Sequence, residues 1–158
     1  MFFRALLAFL ILPGVAAFLV PPLLVAFDPW KSELMWQGCI VMLIGLGILL
    51  WCVRDFYVLG KGTLAPWDPP KHLVVVGLYR HMRNPMYVGV LTLVTGWSVL
   101  FASPMLAIYA VVLASGFHIR VLINEEPWLA SQFGNDWSQY CSNVNRWLPR
   151  MKPWSGGS

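Results

Sequence analysis

Apolar runs of bilayer length constrain this chain more than anything else in it. A transmembrane helix needs about 20 mostly apolar residues. Runs of roughly that length cover residues 2–27, 38–59, 85–101 and 104–122. In hydrocarbon every backbone N–H and C=O must find its partner inside the segment or in a neighbouring helix, which leaves helices as the economical choice. The runs therefore predict an all-α integral membrane protein with about four transmembrane helices. The composition agrees: 58% of the residues are hydrophobic and 11% charged, which excludes a disordered chain and an ordinary soluble domain. The net charge of +4 is not gathered on one soluble face, so it points to membrane orientation and not to nucleic acid. Cys39, Cys52 and Cys141 form no CxxC pair. No zinc site, other metal site or disulfide framework is expected.

Punctuation within the runs refines the picture. Pro13 and the Pro21-Pro22 pair predict a first span that kinks or ends early. Its start, Arg4 before an apolar run and Ala16-Ala17, also has the pattern of a signal peptide, although the run continues past that point. Residues 28–37 form a short polar connection, with Trp30 and Trp36 as interfacial aromatics. In the second span Gly45 and Gly47 offer close approach to a neighbour. Residues 60–71, rich in Gly and Pro, read as a loop. The β-branched run Leu73-Val74-Val75-Val76 is too short to span and reads as extended. Only Ala102 and Ser103 separate the third and fourth spans, which predicts a tight antiparallel helix hairpin. Residues 124–146 are amphipathic and broken by Gly134, giving two short C-terminal interfacial helices. Residues 1–152 then form a single membrane-embedded domain. Residues 153–158 read as a tail whose Gly-Gly-Ser end looks like an appended linker.

Three polar groups stand out against this apolar background. The first is Tyr79-Arg80-His81-Met82-Arg83-Asn84-Pro85-Met86-Tyr87 at the mouth of the third span. Pro85 suits a first helical turn, where its missing N–H costs nothing. The second is His118 and Arg120, at the end of the fourth span. The third is Glu125-Glu126. The short hairpin forces the start of the third helix to meet the end of the fourth, so the groups converge. Each also has a structural reading. Arg80 and Arg83 serve as orientation anchors, and Tyr79 and Tyr87 as belt aromatics. Asn84 reads as a helix cap, and Asn124 as a cap for the acids behind it. His118 reads as a satisfied interfacial histidine. With four spans, Arg4, residues 54–83 and the chain after Arg120 share one side, while Lys31 stands alone on the other. The positive-inside rule then puts both termini and the polar cluster in the cytoplasm. No HExxH, Walker, GxSxG or GxGxxG motif is present.

The block Leu73-Val74, Gly77-Leu78-Tyr79, Arg83-Asn84-Pro85-Met86-Tyr87-Val88-Gly89, followed by Glu125-Glu126 and Phe133-Gly134, resembles the isoprenylcysteine carboxyl methyltransferase and phospholipid methyltransferase superfamily. The similarity runs from about Gly62 to Pro149. It implies an integral membrane enzyme that transfers a methyl group from S-adenosylmethionine to a lipid-like or other hydrophobic acceptor. The cofactor contacts it implies are His72, Leu73, Val74, Tyr79, Asn84, Pro85, Met86, Tyr87, Glu125 and Glu126. Arg120, near the position of a substrate-binding arginine, joins Tyr87 and His118 as candidate catalytic residues. Asn84 before Pro85 follows the phospholipid enzymes, where the isoprenylcysteine enzymes have histidine. The acceptor therefore stays open. So do two other readings: a sterol-type membrane reductase using NADPH, and a non-enzymatic membrane bundle or transporter.

Overall fold

The computed structural model describes residues 10–59 and 72–156. The expected loop at 60–71 and residues 2–9 of the first span lie outside the described residues. Among the described residues the chain is helical, with no strand. The helices are α1 (Leu10–Leu19), α2 (Val20–Phe27), α3 (Gln37–Leu59), α4 (Pro85–Leu100), α5 (Pro104–Arg120) and α6 (Glu126–Asn143). A single 3-10 turn covers Gly77–Arg80. Two helical stretches are long and apolar enough to cross a membrane, Gln37–Asp55 and Pro104–Asn143; Pro13–Phe27 and Pro85–Leu100 are apolar but shorter. Ile108, Val111, Val112 and Ile119 on α5 face outward, as suits a helix whose surroundings are hydrocarbon.

The prolines of the first apolar run do not end the helix. α1 has π-type hydrogen bonding with Pro13 inside it. Pro21 and Pro22 then occupy the first turn of α2; because the chain is already helical there, they cost ladder bonds to the turn before, in which the Ala16 carbonyl accepts from the Tyr109 hydroxyl at 3.1 Å. The wider turn and the change of register absorb what an unbroken α-helix could not. The same device recurs at Val121–Glu125, a π turn joining α5 to α6. Pro127 cannot donate to the carbonyl one turn back, and its ring crowds that carbonyl. A looser ladder just before it relieves the conflict. Consequently no helix begins at Glu125, and Asn124 caps nothing. The chain stays helical from Pro104 to Asn143 and breaks once, at Gly134, whose φ of 48° and ψ of −115° lie outside the helical region. The expected break at Gly134 is present; the expected one before the acids is not.

α3 packs along α4 more extensively than any other pair of helices, and glycine makes this possible. A Cβ on Gly45 would sit 2.6 Å from the Leu93 nitrogen and 2.9 Å from the Gly89 oxygen; one on Gly96 would sit 2.7 Å from the Met42 nitrogen. These contacts are with backbone, which cannot step aside. Gly47, expected to share this role, has open space around it. Ala17, Leu49, Val90 and Leu93 form the buried core beside the seam.

The hairpin turn is as short as expected. Ala102 takes the left-handed conformation (φ 43°). Ser103 caps α5 by accepting from the Leu106 N–H at 3.2 Å, and its hydroxyl also donates to the Asp28 carboxylate. The 28–36 connection closes over this end through Met35 N–H to the Leu100 carbonyl (2.8 Å) and Ser32 N–H to the Phe101 carbonyl (3.1 Å). Tying off one end of the bundle leaves the other, where α4 starts and α5 finishes, to carry the remaining polar chemistry.

Candidate active site

Tyr87 lies in the first turn of α4, and Arg120 is the last residue of α5. The antiparallel hairpin brings them together, and the π turn swings Glu125 onto the same spot. The Tyr87 hydroxyl donates to Glu125 Oε1. Arg120 Nε donates to the Tyr87 oxygen at 3.2 Å and to Glu125 Oε1 at 2.9 Å. Phenol, guanidinium and carboxylate therefore form a closed triangle drawn from three elements. Phe117, one turn before Arg120, stacks its ring 4.3 Å from that of Tyr87.

The neighbouring acid has a different partner set. Arg146 holds Glu126 in a two-pronged pair, Nε to Oε1 and Nη2 to Oε2, both 2.7 Å. Arg83 adds Nη1 to Oε1 at 3.1 Å. Side by side in sequence, the acids face apart because a helix turns about 100° per residue. Glu125 is balanced by one cation; Glu126 meets two, which leaves that cluster a net positive charge. Arg83 Nη1 also approaches Cys141 Sγ at 2.7 Å, and its Nε is buried with no hydrogen-bond partner.

The residues after α6 form a strap across the strip that precedes α4. Backbone bonds join Arg83 N–H to the Asn145 carbonyl (2.9 Å), Arg150 N–H to the His81 carbonyl (3.0 Å) and Trp154 N–H to the Arg80 carbonyl (3.0 Å). Side chains repeat the stitching. Arg80 Nε donates to the Trp154 carbonyl at 2.6 Å, and the His81 ring N–H donates to the Arg150 carbonyl at 2.8 Å. The Asn84 amide donates to the Arg146 carbonyl at 3.2 Å. Asn84 thus does not cap α4 with its side chain; it fastens the strap. Trp147 of the strap comes to 6.4 Å from Tyr87 and 6.1 Å from His118, ring to ring, and donates its indole N–H to His118 Nδ1 at 3.1 Å.

The structure gathers Asn84, Tyr87, His118, Arg120, Glu125 and Glu126 around this end of the bundle. The structure places most of the other expected site residues among apolar neighbours. Tyr79 is buried with Cys52 and Val74, and burial pushes its phenol well above the ordinary tyrosine range, so it stays neutral. Its carbonyl accepts from the Tyr140 hydroxyl at 2.6 Å. Leu73 packs with Trp137, Tyr140 and Val144, Met86 joins two apolar clusters, Pro85 is buried, and His72 is exposed. The sequence reading passed over Arg146, Trp147 and Phe117. Arg146 ends the stretch read as amphipathic and Trp147 follows it; their signal was a cation beside an aromatic at that boundary. Among the described residues no group of three or more His, Cys, Asp or Glu side chains is placed to hold a metal.

The comparisons with known proteins bear on the same region. The model of the phospholipid methyltransferase family matches residues 34–136. The probable protein-S-isoprenylcysteine O-methyltransferase of Oryza sativa subsp. indica is 30% identical over 83 residues, 52% of this chain and 44% of that protein. Protein-S-isoprenylcysteine O-methyltransferase B of Arabidopsis thaliana is 32% identical over 77 residues, 49% of this chain and 39% of that protein. The chain spans less than half the length of these curated relatives. No solved structure matches it. The match to the family model takes in α3, the hairpin and the paired acids, which is more than half of the 158 residues, and on that coverage the chain belongs to the phospholipid methyltransferase family.

Proposed function

We propose that this protein transfers a methyl group from S-adenosylmethionine to a hydrophobic, lipid-like acceptor at the membrane surface. The observation that carries the reading is the convergence of Tyr87, Arg120 and Glu125, next in sequence to Glu126, whose partner Arg83 has an Nε buried without a hydrogen-bond partner. The donor's amino-acid end carries a carboxylate and an ammonium, so it needs a cation and an acid close together. Arg83 offers the unused donor. Glu125 and Glu126 offer the acids, each now held by arginines that a ligand's ammonium would compete with. Tyr87 and Phe117 offer ring faces suited to a sulfonium. The residues present fit the molecule. When bound, S-adenosylmethionine supplies a methyl group already activated by the positive sulfur.

What the chain's own residues contribute is position and dryness. Methyl transfer is an in-line displacement, helped by fixed geometry and exclusion of water more than by a strong acid or base. Arg120, half exposed at the end of α5, orients an anionic group of the acceptor. Tyr87 fixes Arg120 and Glu125 relative to the reaction centre. His118 could take a proton from an acceptor amine or thiol only by giving up the indole N–H that its Nδ1 accepts; a carboxylate acceptor would need no base. Asn84, Pro85 and Met86 hold the start of α4 in place. His72, Leu73, Val74 and Tyr79 would meet the donor from the strip before α4, where Leu73 packs beside Trp154 of the strap and Val74 and Tyr79 against Cys52. The acceptor enters sideways from the bilayer, and the water-soluble donor enters from the cytoplasm. Both termini lie on that side of a multi-pass protein.

The direct test is binding to the purified protein, followed by transfer from a radiolabelled methyl donor to a panel of lipid and prenylated acceptors. Micromolar binding of S-adenosylhomocysteine and labelled product are expected. Binding of NADPH in its place would overturn the reading in favour of a reductase. Cysteine labelling of residues 28–36 from outside sealed vesicles tests orientation; protection of that loop would reverse it.

A further inference from the structure

We infer that Trp147 is a donor-selecting residue, whose indole, held by its hydrogen bond to His118, would offer a ring face to the donor's cationic sulfur. This rests on the methyltransfer reading above and goes beyond it, because Trp147 lies outside the stretch that matches the family model, residues 34–136.

Four observations lead to it. First, the strap cannot carry Trp147 anywhere else. Asn145 is tied by its carbonyl to the Arg83 N–H. Arg146 is tied by its carbonyl to Asn84 and by its guanidinium to Glu126. The residue after two such anchors has little freedom. Second, the indole stands beside Tyr87, whose other neighbour is Phe117 at 4.3 Å. Tyr87, the middle ring of the three, donates its hydroxyl to the carboxylate of Glu125, which also accepts from Arg120. Aromatic faces next to a carboxylate make a surface for a cation, and indole is the strongest of the aromatic partners. Third, Trp147 is half-buried. An indole serving only to fill the core would be covered; one serving as a free surface anchor would not be pinned at its nitrogen. Fourth, the indole N–H can only donate. His118 Nδ1 must therefore accept, which puts the proton of the neutral imidazole on Nε2. That bond sets the tilt of the indole, 39° from the imidazole. His118 is then a positioning residue for Trp147, in addition to any part it plays with the acceptor.

The class of ligand follows from charge. A neutral thioether and a sulfonium have nearly the same shape, but only the sulfonium gains from ring faces and a nearby carboxylate. Trp147 should therefore matter more for S-adenosylmethionine than for S-adenosylhomocysteine. The experiment is calorimetric titration of the full chain in nanodiscs with each of the two, for wild type, Trp147→Ala, Trp147→Phe, His118→Ala and His118→Gln. Trp147→Ala should weaken S-adenosylmethionine about fivefold to thirtyfold, and S-adenosylhomocysteine about twofold or less. Trp147→Phe keeps a ring, loses the N–H and should fall between wild type and Ala. Its near-isosteric fit keeps the test open if the Ala variant does not fold. His118→Gln retains an acceptor and should preserve the preference better than His118→Ala. Equal weakening of both ligands in Trp147→Ala and Trp147→Phe would mean that the tryptophan only supports the strap, and would overturn the inference while leaving methyltransfer standing. If wild-type protein bound neither ligand, the underlying reading would fail and this one with it.

Discussion

Glu126→Gln is the substitution with the most informative consequence. Glu126 accepts two bonds from Arg146 and faces Arg83. The side chains are mostly out of water: 17% exposed for Glu126, 11% for Arg83 and 28% for Arg146. A fully exposed pair would be worth about 0–1 kcal/mol, and loss of one partner of a fully buried pair about 3–5 kcal/mol. This cluster lies between those limits. Glutamine keeps the size and one acceptor, but its amide turns a donor toward guanidinium groups that have only donors to offer. Trading charge-assisted bonds for one neutral bond, with two cations left facing each other, should cost about 2–4 kcal/mol. At about 2–4 °C per kcal/mol for a chain of this size, Tm should fall by roughly 4–16 °C. The loss should be local in origin, because Arg146 anchors the strap. Tryptic cleavage after Arg150 should speed up before the helices unfold. Thermal unfolding in detergent and timed proteolysis check both points. A double-mutant cycle with Arg146→Gln should give a coupling of about 0.5–3 kcal/mol. Additive effects in that cycle, with the strap still protected, would refute the view that Glu126 holds it. Weaker S-adenosylhomocysteine binding at unchanged strap protection would instead mark Glu126 as a donor contact.

Three further outcomes follow from the geometry. Gly45→Ala should destabilise the α3–α4 seam by about 1–3 kcal/mol, because the new methyl meets backbone, whereas Gly47→Ala should be neutral or mildly stabilising; equal effects in a thermal unfolding assay would contradict the packing. Tyr87→Phe should leave the fold intact and slow methyl transfer roughly tenfold for each ~1.4 kcal/mol of lost transition-state stabilisation; wild-type turnover would remove the hydroxyl from the mechanism. The Ser103 hydroxyl holds the Asp28 carboxyl below the usual carboxylate range, so the folded state binds that proton less readily than the unfolded state. The resulting stability is complete above about pH 4 and lost as pH falls through the lowered value. Asp28→Asn should therefore flatten the acid limb of the Tm profile, and superimposable limbs would show that Asp28 makes no such contribution.

Local chemistry in the sequence was enough for the helical class, the hairpin and the Gly134 break. Apolar runs leave the backbone no alternative to helix, two residues between runs permit only a tight reversal, and glycine tolerates the non-helical backbone at position 134. The same reasoning located the meeting of Tyr87 with the end of α5, since a hairpin fixes which helix ends are neighbours. Tertiary structure decided the rest, because it depends on residues far apart in the chain. Gly45 and Gly47 look alike in sequence, yet only Gly45 points at α4. Glu125 and Glu126 look like one acidic pair at a helix start; a π turn ahead of Pro127 and the helical twist send them to separate cations. Asn84 has the composition of a cap but satisfies the carbonyl of Arg146, 62 residues away. Arg146 and Trp147 acquire their places only when backbone hydrogen bonds lay the strap against residues 80–84. Periodicity and turn chemistry act over a few residues and can be read from them, whereas a partner for a charge or an indole N–H is chosen by whatever the folded chain brings within 3 Å.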